Sequence, residues 1–251
     1  MSLEDFLYSI GEKIENLARM IIRGITLFFN PKPSEKPPVH RFISKFMKKG
    51  FTVHELVSLH LQIAFLLYVL LAFILVVSTQ EVGLVGILSI CYLLYLRYYL
   101  KRYSGFLIEP EPYRVFYTGV SLISSFSFVG YVVLKKAGVS PYSYYSFLGL
   151  IVILVVVFWI YFKRKFGREF TYGVVEEIKG DLVRVFVHDD ISANVKPGFY
   201  WLPAVPDAEP GRIVKVLVEN RNFRSAKPIR IIEVYLSQSS QSSTEPKNAT
   251  E

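Results

Sequence analysis

Tyr142-Ser-Tyr-Tyr-Ser-Phe-Leu-Gly-Leu-Ile-Val-Ile-Leu-Val-Val-Val-Phe-Trp-Ile-Tyr-Phe162, followed at once by Lys163-Arg164-Lys165, decides how the chain must be read. Its 21 residues carry no formal charge. A helix rising 1.5 Å per residue covers about 30 Å over that length, the thickness of a bilayer's hydrocarbon core. Ser140 and Pro141 suit the N-cap and first helical position. Trp159 and Tyr161 suit the far interface, and the basic triplet halts transfer.

Working outward toward the N-terminus, three more apolar runs precede this one. The expected spans are about 53–77, 82–100, 115–134 and 142–162, which places four transmembrane helices in residues 52–168. Thr52-Val-His-Glu55 reads as a capping box opening the first. Ser78-Thr-Gln-Glu81 is a short turn, Pro110 and Pro112 punctuate the loop before the third span, and Lys135 to Ser140 turns into the fourth. With 52% hydrophobic residues and a mean hydropathy of +0.35, the composition suits a polytopic membrane protein with soluble parts. The lone Cys91 excludes an intrachain disulfide and, falling mid-span, reads as a small buried residue.

The net charge of +8 is unevenly spread. Residues 56–168 carry ten Lys/Arg against three Asp/Glu, whereas residues 169–236 carry nine against ten. Arg41, Lys45, Lys48, Lys49, Arg97, Lys101, Arg102, Arg114, Lys163, Arg164, Lys165 and Arg168 fall on one side of the four spans, against only Lys135 and Lys136 on the other. The bias predicts a multi-pass protein of the cell membrane with both termini cytoplasmic. The basic residues beside the spans (Lys45, Lys48, Lys49, Lys101, Arg102, Lys163, Arg164 and Lys165) are expected to meet anionic lipid headgroups, a partner favoured over nucleic acid.

Residues 1–29 place Leu3, Leu7, Ile10, Ile14, Leu17, Ile21 and Phe28 on one helical stripe, and seven charges between Glu4 and Arg23 forbid spanning. The expectation is an amphipathic helix lying on membrane or protein, with a coiled-coil helix of a homo-oligomer as the alternative. The acidic start is unlike a signal peptide. Residues 30–51 read as a stiff Pro-rich linker and a basic juxtamembrane segment.

The spans hold no Asp, Glu or Lys in their cores, which argues against ion-coupled pumping. His60, Gln62, Ser121 and Ser125 are the intramembrane polar contacts to examine. Interhelical hydrogen bonds and close packing are the first reading for them, and a pore lining the second.

Beyond Arg168 the hydrophobic period changes to two. Phe170–Ile178, Leu182–His188, a short aromatic strand within Val195–Pro203, Arg212–Glu219 and Ile229–Leu236 read as five strands, with a hairpin turn at Lys179-Gly180-Asp181. Five short strands over residues 169–236 predict a small all-β barrel of the OB or SH3-like kind, whose closure would remove exposed edges. Residues 237–251 read as a disordered tail, and Asn248-Ala-Thr250 is a sequon this topology would leave unused.

Within this domain Arg221, Arg224, Lys227 and Arg230 form a basic cluster that either contacts lipid or a partner or is a solvated loop. His188-Asp189-Asp190 reads as a solvated turn rather than a metal site, because three consecutive residues do not converge on one ion. Phe199, Tyr200 and Trp201 could stack bases, but strand alternation would bury some of them, and core packing is the first reading. The chain has no P-loop, Rossmann fingerprint, zinc-protease helix or nucleophile elbow, so no catalytic, cofactor-binding or metal-ligating residue is assigned and no enzyme is expected.

The arrangement of amphipathic arm, four spans, Tyr172-Gly-Val-Val-Glu-Glu-Ile178 and Val195-Lys-Pro-Gly198 resembles a group of uncharacterised archaeal integral membrane proteins. That resemblance implies a four-helix membrane bundle with a C-terminal β domain, and no activity. The sequence therefore supports a scaffold or interaction protein, with a channel or transporter component as the alternative.

Overall fold

The computed structural model describes residues 15–16, 19–20, 28, 30–38, 52–79, 81–221 and 224–235. Most of the amphipathic arm, the basic residues Lys45, Lys48 and Lys49, the sequon and the tail lie outside the described residues. The chain divides into two compact units, Met1–Phe158 and Trp159–Glu251, so the last turns of the fourth span belong with the sheet.

Four helices are long and apolar enough to cross a membrane: α1 (Val53–Ser78), α2 (Val82–Arg102), α3 (Pro110–Lys136) and α4 (Pro141–Phe166). Thr52 N donates to Glu55 Oε2 at 2.8 Å, which closes the capping box of α1. Helix α3 starts at Pro110, five residues ahead of the expected boundary. The prolines expected to break the chain instead occupy its first turn, where a missing N–H costs nothing and a fixed φ favours the helix. Helix α4 likewise runs through Lys163-Arg164-Lys165, whose positive charges suit the negative end of its dipole. Gly167 ends it: the Gly167 N–H donates to the Lys163 carbonyl at 2.9 Å, and a Cβ there would lie 2.3 Å from that oxygen.

Each of α1, α2 and α3 turns a stripe of three- and four-residue spacing toward the other two. Val57, Leu61, Tyr68, Ala72 and Val76 form it on α1, and Val85, Ser89, Tyr92, Leu96 and Tyr99 on α2. On α3 Tyr113, Tyr117, Ser121 and Ser125 recur every fourth residue. Cys91 falls off the α2 stripe and is exposed, contrary to the buried role expected of it. Helix α4 meets α3 differently, with phenylalanines resting on glycines. The Phe158 ring lies where a Gly119 Cβ would be, and the Phe147 ring where a Gly130 Cβ would be. Phe116–Phe158, Phe126–Phe147 and Tyr131–Tyr144 ring contacts flank these sockets. Lys136 pairs with Glu81 at 2.9 Å, joining the α1–α2 and α3–α4 turns.

The linker of residues 30–38 is docked rather than free. Arg102 Nη1 donates to the Lys32 carbonyl at 3.0 Å, the Ser34 N–H donates to the Arg102 carbonyl at 2.7 Å, and Lys101 bonds Asn30. Phe28 stacks on Tyr98 with centroids 5.5 Å apart.

The second unit is an antiparallel five-stranded sheet curled into a half-barrel, in the order β3-β2-β1-β4-β5. Its strands are β1 (Phe170–Lys179), β2 (Leu182–Val187), β3 (Gly198–Pro203), β4 (Ile213–Arg221) and β5 (Arg224–Tyr235). Gly180 at φ 58° makes the tight β1–β2 turn. Val175, Val183, Val185, Val187, Leu202, Val214, Val216, Val218 and Ile231 face one interior, with Tyr200 packed against them. The edge strands β3 and β5 approach each other but share no ladder among the described residues, so both edges remain. Pro228, which cannot donate to a ladder, is accommodated because β5 is an edge.

Candidate functional site

Two clusters carry the side chains with chemistry to offer. In the helices, three-to-four spacing threads hydroxyls and imidazoles through an otherwise apolar interior. The Tyr68 hydroxyl lies 3.0 Å from Ser89 Oγ and 2.8 Å from Ser125 Oγ, so one phenol ties α1 to both α2 and α3. Its ring stacks on Tyr92 with centroids 4.2 Å apart. Ser121 and Ser125 also donate to the carbonyls of Tyr117 and Ser121, four residues back, at 2.5 and 2.8 Å. Toward the end bearing the capping box, His60 Nε2 bonds the Tyr95 hydroxyl and its ring stacks on Tyr99 at 4.3 Å. His54 Nδ1 accepts from the Ile108 N–H at 3.3 Å, which leaves the proton on Nε2 to donate to the Tyr113 hydroxyl at 3.2 Å.

Of the polar span residues singled out by sequence, Ser121 and Ser125 share this seam and His60 joins it near one end. Gln62 does not. It is exposed and reaches only Ser58 on its own helix, at 3.5 Å. Tyr68, Tyr92 and His54 escaped the sequence reading. The signal was present in the spacing Tyr92, Tyr95, Tyr99, but tyrosines near a span end also fit an interfacial belt, and spacing alone does not separate the two.

In the sheet unit, Asp190 is buried and central rather than part of a solvated turn. Its carboxylate accepts from Arg168 Nη2 at 2.8 Å, Thr171 Oγ1 at 2.7 Å and the Ala193 N–H at 3.0 Å. The guanidinium of Arg168 also lies over the Phe170 and Tyr172 rings. This constellation fastens Arg168, two residues past the end of α4, to the turn before β3. A solvated reading failed because His188-Asp189-Asp190 leads into a turn folded back on β1, which removes Asp190 from water.

Arg221, Arg224, Lys227 and Arg230 sit on the β4–β5 hairpin, all exposed, on strands that pair as far as Arg221 opposite Arg224. The expected loop is a ladder, because β5 begins five residues earlier than its hydrophobic alternation suggested. Asn194 Nδ2 donates to the Arg224 carbonyl at 3.2 Å and the Ala226 N–H to the Asn194 carbonyl at 2.8 Å, which pins the hairpin to the Asp190 turn.

Strand β3 splits its aromatic run by alternation. Tyr200 and Leu202 turn inward, and burial pushes the Tyr200 phenol pKa up. Phe199 and Trp201 turn outward, 48% and 46% exposed, which corrects the core assignment for these two. Arg184 of β2 lies between their rings, 5.5 and 5.9 Å from the centroids. Its charge is met by Glu176 at 3.4 Å and Glu177 at 3.1 Å. Of the remaining juxtamembrane cations, Lys101 and Arg102 hold the linker, and Lys163 lies 5.4 Å over the Trp159 ring. Arg164 stands exposed on the last turns of α4.

A family described as predicted membrane protein (DUF2101) matches residues 25–232, from the end of the amphipathic arm to within four residues of the end of β5, and the chain belongs to that family. Comparison with curated proteins and with solved structures finds no match.

Proposed function

We propose that this member of the family is a non-enzymatic scaffold of the cell membrane, multi-pass with both termini cytoplasmic, whose sheet unit receives a protein partner at the membrane surface. The observation that carries this reading is the junction. Only Gly167, Arg168 and Glu169 separate α4 from β1, and Arg168 is clamped by Asp190. A domain held so closely to a span acts beside the headgroups. The excess of basic residues at the ends of the spans that would face it supports the cytoplasmic orientation. The strand order, in which β4 returns beside β1 and brings β5 toward β3, supports an OB-like, partly open barrel. On that barrel the exposed Arg221, Arg224, Lys227 and Arg230 offer a basic ribbon to an acidic partner or to anionic lipid.

A photo-crosslinking side chain at position 227 of the full chain, in native membranes, tests the reading. One recurring adduct is expected, lost when Arg221 and Arg224 become Glu. No recurring adduct would end the scaffold proposal.

The hydroxyl seam supports a second reading, a channel or transporter component with the sheet as its vestibule. The seam is a polar thread among the described residues of the helices, and within it the Tyr92 hydroxyl is buried beside Ser121. Solute flux in proteoliposomes that disappears in Ser121→Val or His60→Ala would favour this reading over the scaffold.

A further inference from the structure

The sheet unit is built like a water-soluble domain, yet one part of its outer face is not dressed for water. Leu182, Phe199 and Trp201 stand on the same side of β2 and β3, each 46–48% exposed, and the register puts Pro203 beside Leu182 and Arg184 beside Trp201. Exposed apolar side chains scattered singly need no explanation, but three large ones around one guanidinium form a patch. Resting on the reading that this unit is tethered beside a membrane, we infer that the Leu182–Phe199–Trp201 face docks into the interfacial layer of the bilayer itself.

Three observations select lipid as the occupant. The first is reach. Three linking residues extend at most about 11 Å at 3.6 Å each, so the sheet begins within the headgroup region, where a tether makes weak docking effective. The second is composition. Tryptophan flanked by apolar side chains and an arginine is the chemistry that settles at the membrane–water boundary. The third is charge. Glu176 and Glu177 already meet Arg184, so the patch carries no unmatched positive charge and its docking does not need anionic lipid. That last property separates this face from the basic β4–β5 hairpin, which does need it, and disfavours a polyanion as its ligand.

The chain has two tryptophans, so Trp159→Phe leaves Trp201 as the only one. The full chain carrying that change, or Trp159→Tyr should the first fold poorly, is placed in nanodiscs of phosphatidylcholine with and without bromine in the upper acyl chain. The expected result is a blue-shifted Trp201 emission, quenched by the brominated lipid and shielded from acrylamide. Adding phosphatidylglycerol should leave it unchanged, and Leu182→Ser should weaken it. Emission that acrylamide quenches and brominated lipid does not would overturn the inference. So would lipid quenching that appears only with phosphatidylglycerol and is reversed by salt, since that assigns docking to the hairpin. A recurring adduct at position 227 beside a water-exposed Trp201 would defeat this inference and leave the scaffold reading standing. A lipid-quenched Trp201 without any adduct would do the reverse.

Discussion

The helices and the sheet both bury an apolar interior, and they differ in the polar groups they add to it and in what they leave outside. Among α1 to α3 the buried positions include His54, Glu55, Ser58, Ser89, Ser121 and Ser125, while Leu66, Leu70, Phe73, Ile87, Ile90 and Leu122 are exposed. In the sheet unit the interior is valine, alanine, leucine and isoleucine, and charges lie outside, Asp190 excepted. The polar groups of the helices and the apolar groups of the sheet are each drawn inside. Hydrocarbon, which these four helices are long and apolar enough to cross, offers no hydrogen bonds, and the hydroxyls of α1 to α3 are turned toward one another. Water accepts polar groups readily, so the sheet can hide its valines.

The largest test of this contrast is Asp190, the buried charge that breaks the sheet unit's own rule. Asp190→Ala removes the shared acceptor of Arg168, Thr171 and the Ala193 N–H and should cost about 3–5 kcal/mol in urea unfolding of the full chain, followed by Trp201 emission in the Trp159→Phe background. A loss below about 1 kcal/mol, within the range of exposed pairs, would remove the clamp from the description of the junction. Next come the α3–α4 sockets. Gly119→Leu must displace the Phe158 ring and should cost about 1–3 kcal/mol in detergent thermal unfolding. Gly149→Ala, which meets open space, should be neutral or gain up to about 1 kcal/mol. Equal effects would mean that α4 is not seated by those rings.

Tyr68→Phe removes the bond to Ser89 and the bond to Ser125. It should cost about 0.6–1.7 kcal/mol, from the average to the largest value found for hydrogen bonds between membrane helices, read as a shift in the same thermal transition. A larger loss would make the seam a main support of the helices. The smallest effect concerns pH. Burial raises the Tyr200 pKa above its ordinary 10.0, so the folded state holds that proton more tightly than the unfolded chain. The associated stability is complete below pH 10 and declines as pH rises from there through the folded value. Tyr200→Phe should flatten that alkaline decline, and at neutral pH it should lose no more than about 1 kcal/mol, for the bond its hydroxyl donates to the Lys196 carbonyl.

Much of this was readable before any coordinates. The lengths of the apolar runs, the capping box at Thr52 and Glu55, the Gly180 turn and the valine alternation are local signals, and each led to the right element. Errors came where a local signal had two physical meanings. Pro110 and Pro112 break a helix interior but start a helix equally well. Arg221 to Arg230 looked like a loop because its apolar alternation is interrupted, yet backbone pairing with β4 does not depend on side-chain polarity. Asp190 looked solvated because a carboxylate beside another carboxylate usually is, and Arg168, 22 residues away, supplied the partner that burial requires.

By itself the sequence determined that four helices are apolar enough for a bilayer, that a sheet follows them, and where the basic residues gather. These follow from composition and from periods of 3.6 and 2, which are properties of a single element. Only the tertiary structure decided which side of each element is inside. Helix α4 is apolar through most of its length, and the Gly119 and Gly130 sockets with the ring contacts beside them set the stripe that meets α3. Strand β3 is aromatic on both sides, and pairing with β2 turns Tyr200 in and Trp201 out. Where an element has no polar face of its own, its orientation is set by the neighbour it packs against, and that information lies tens of residues away in the chain.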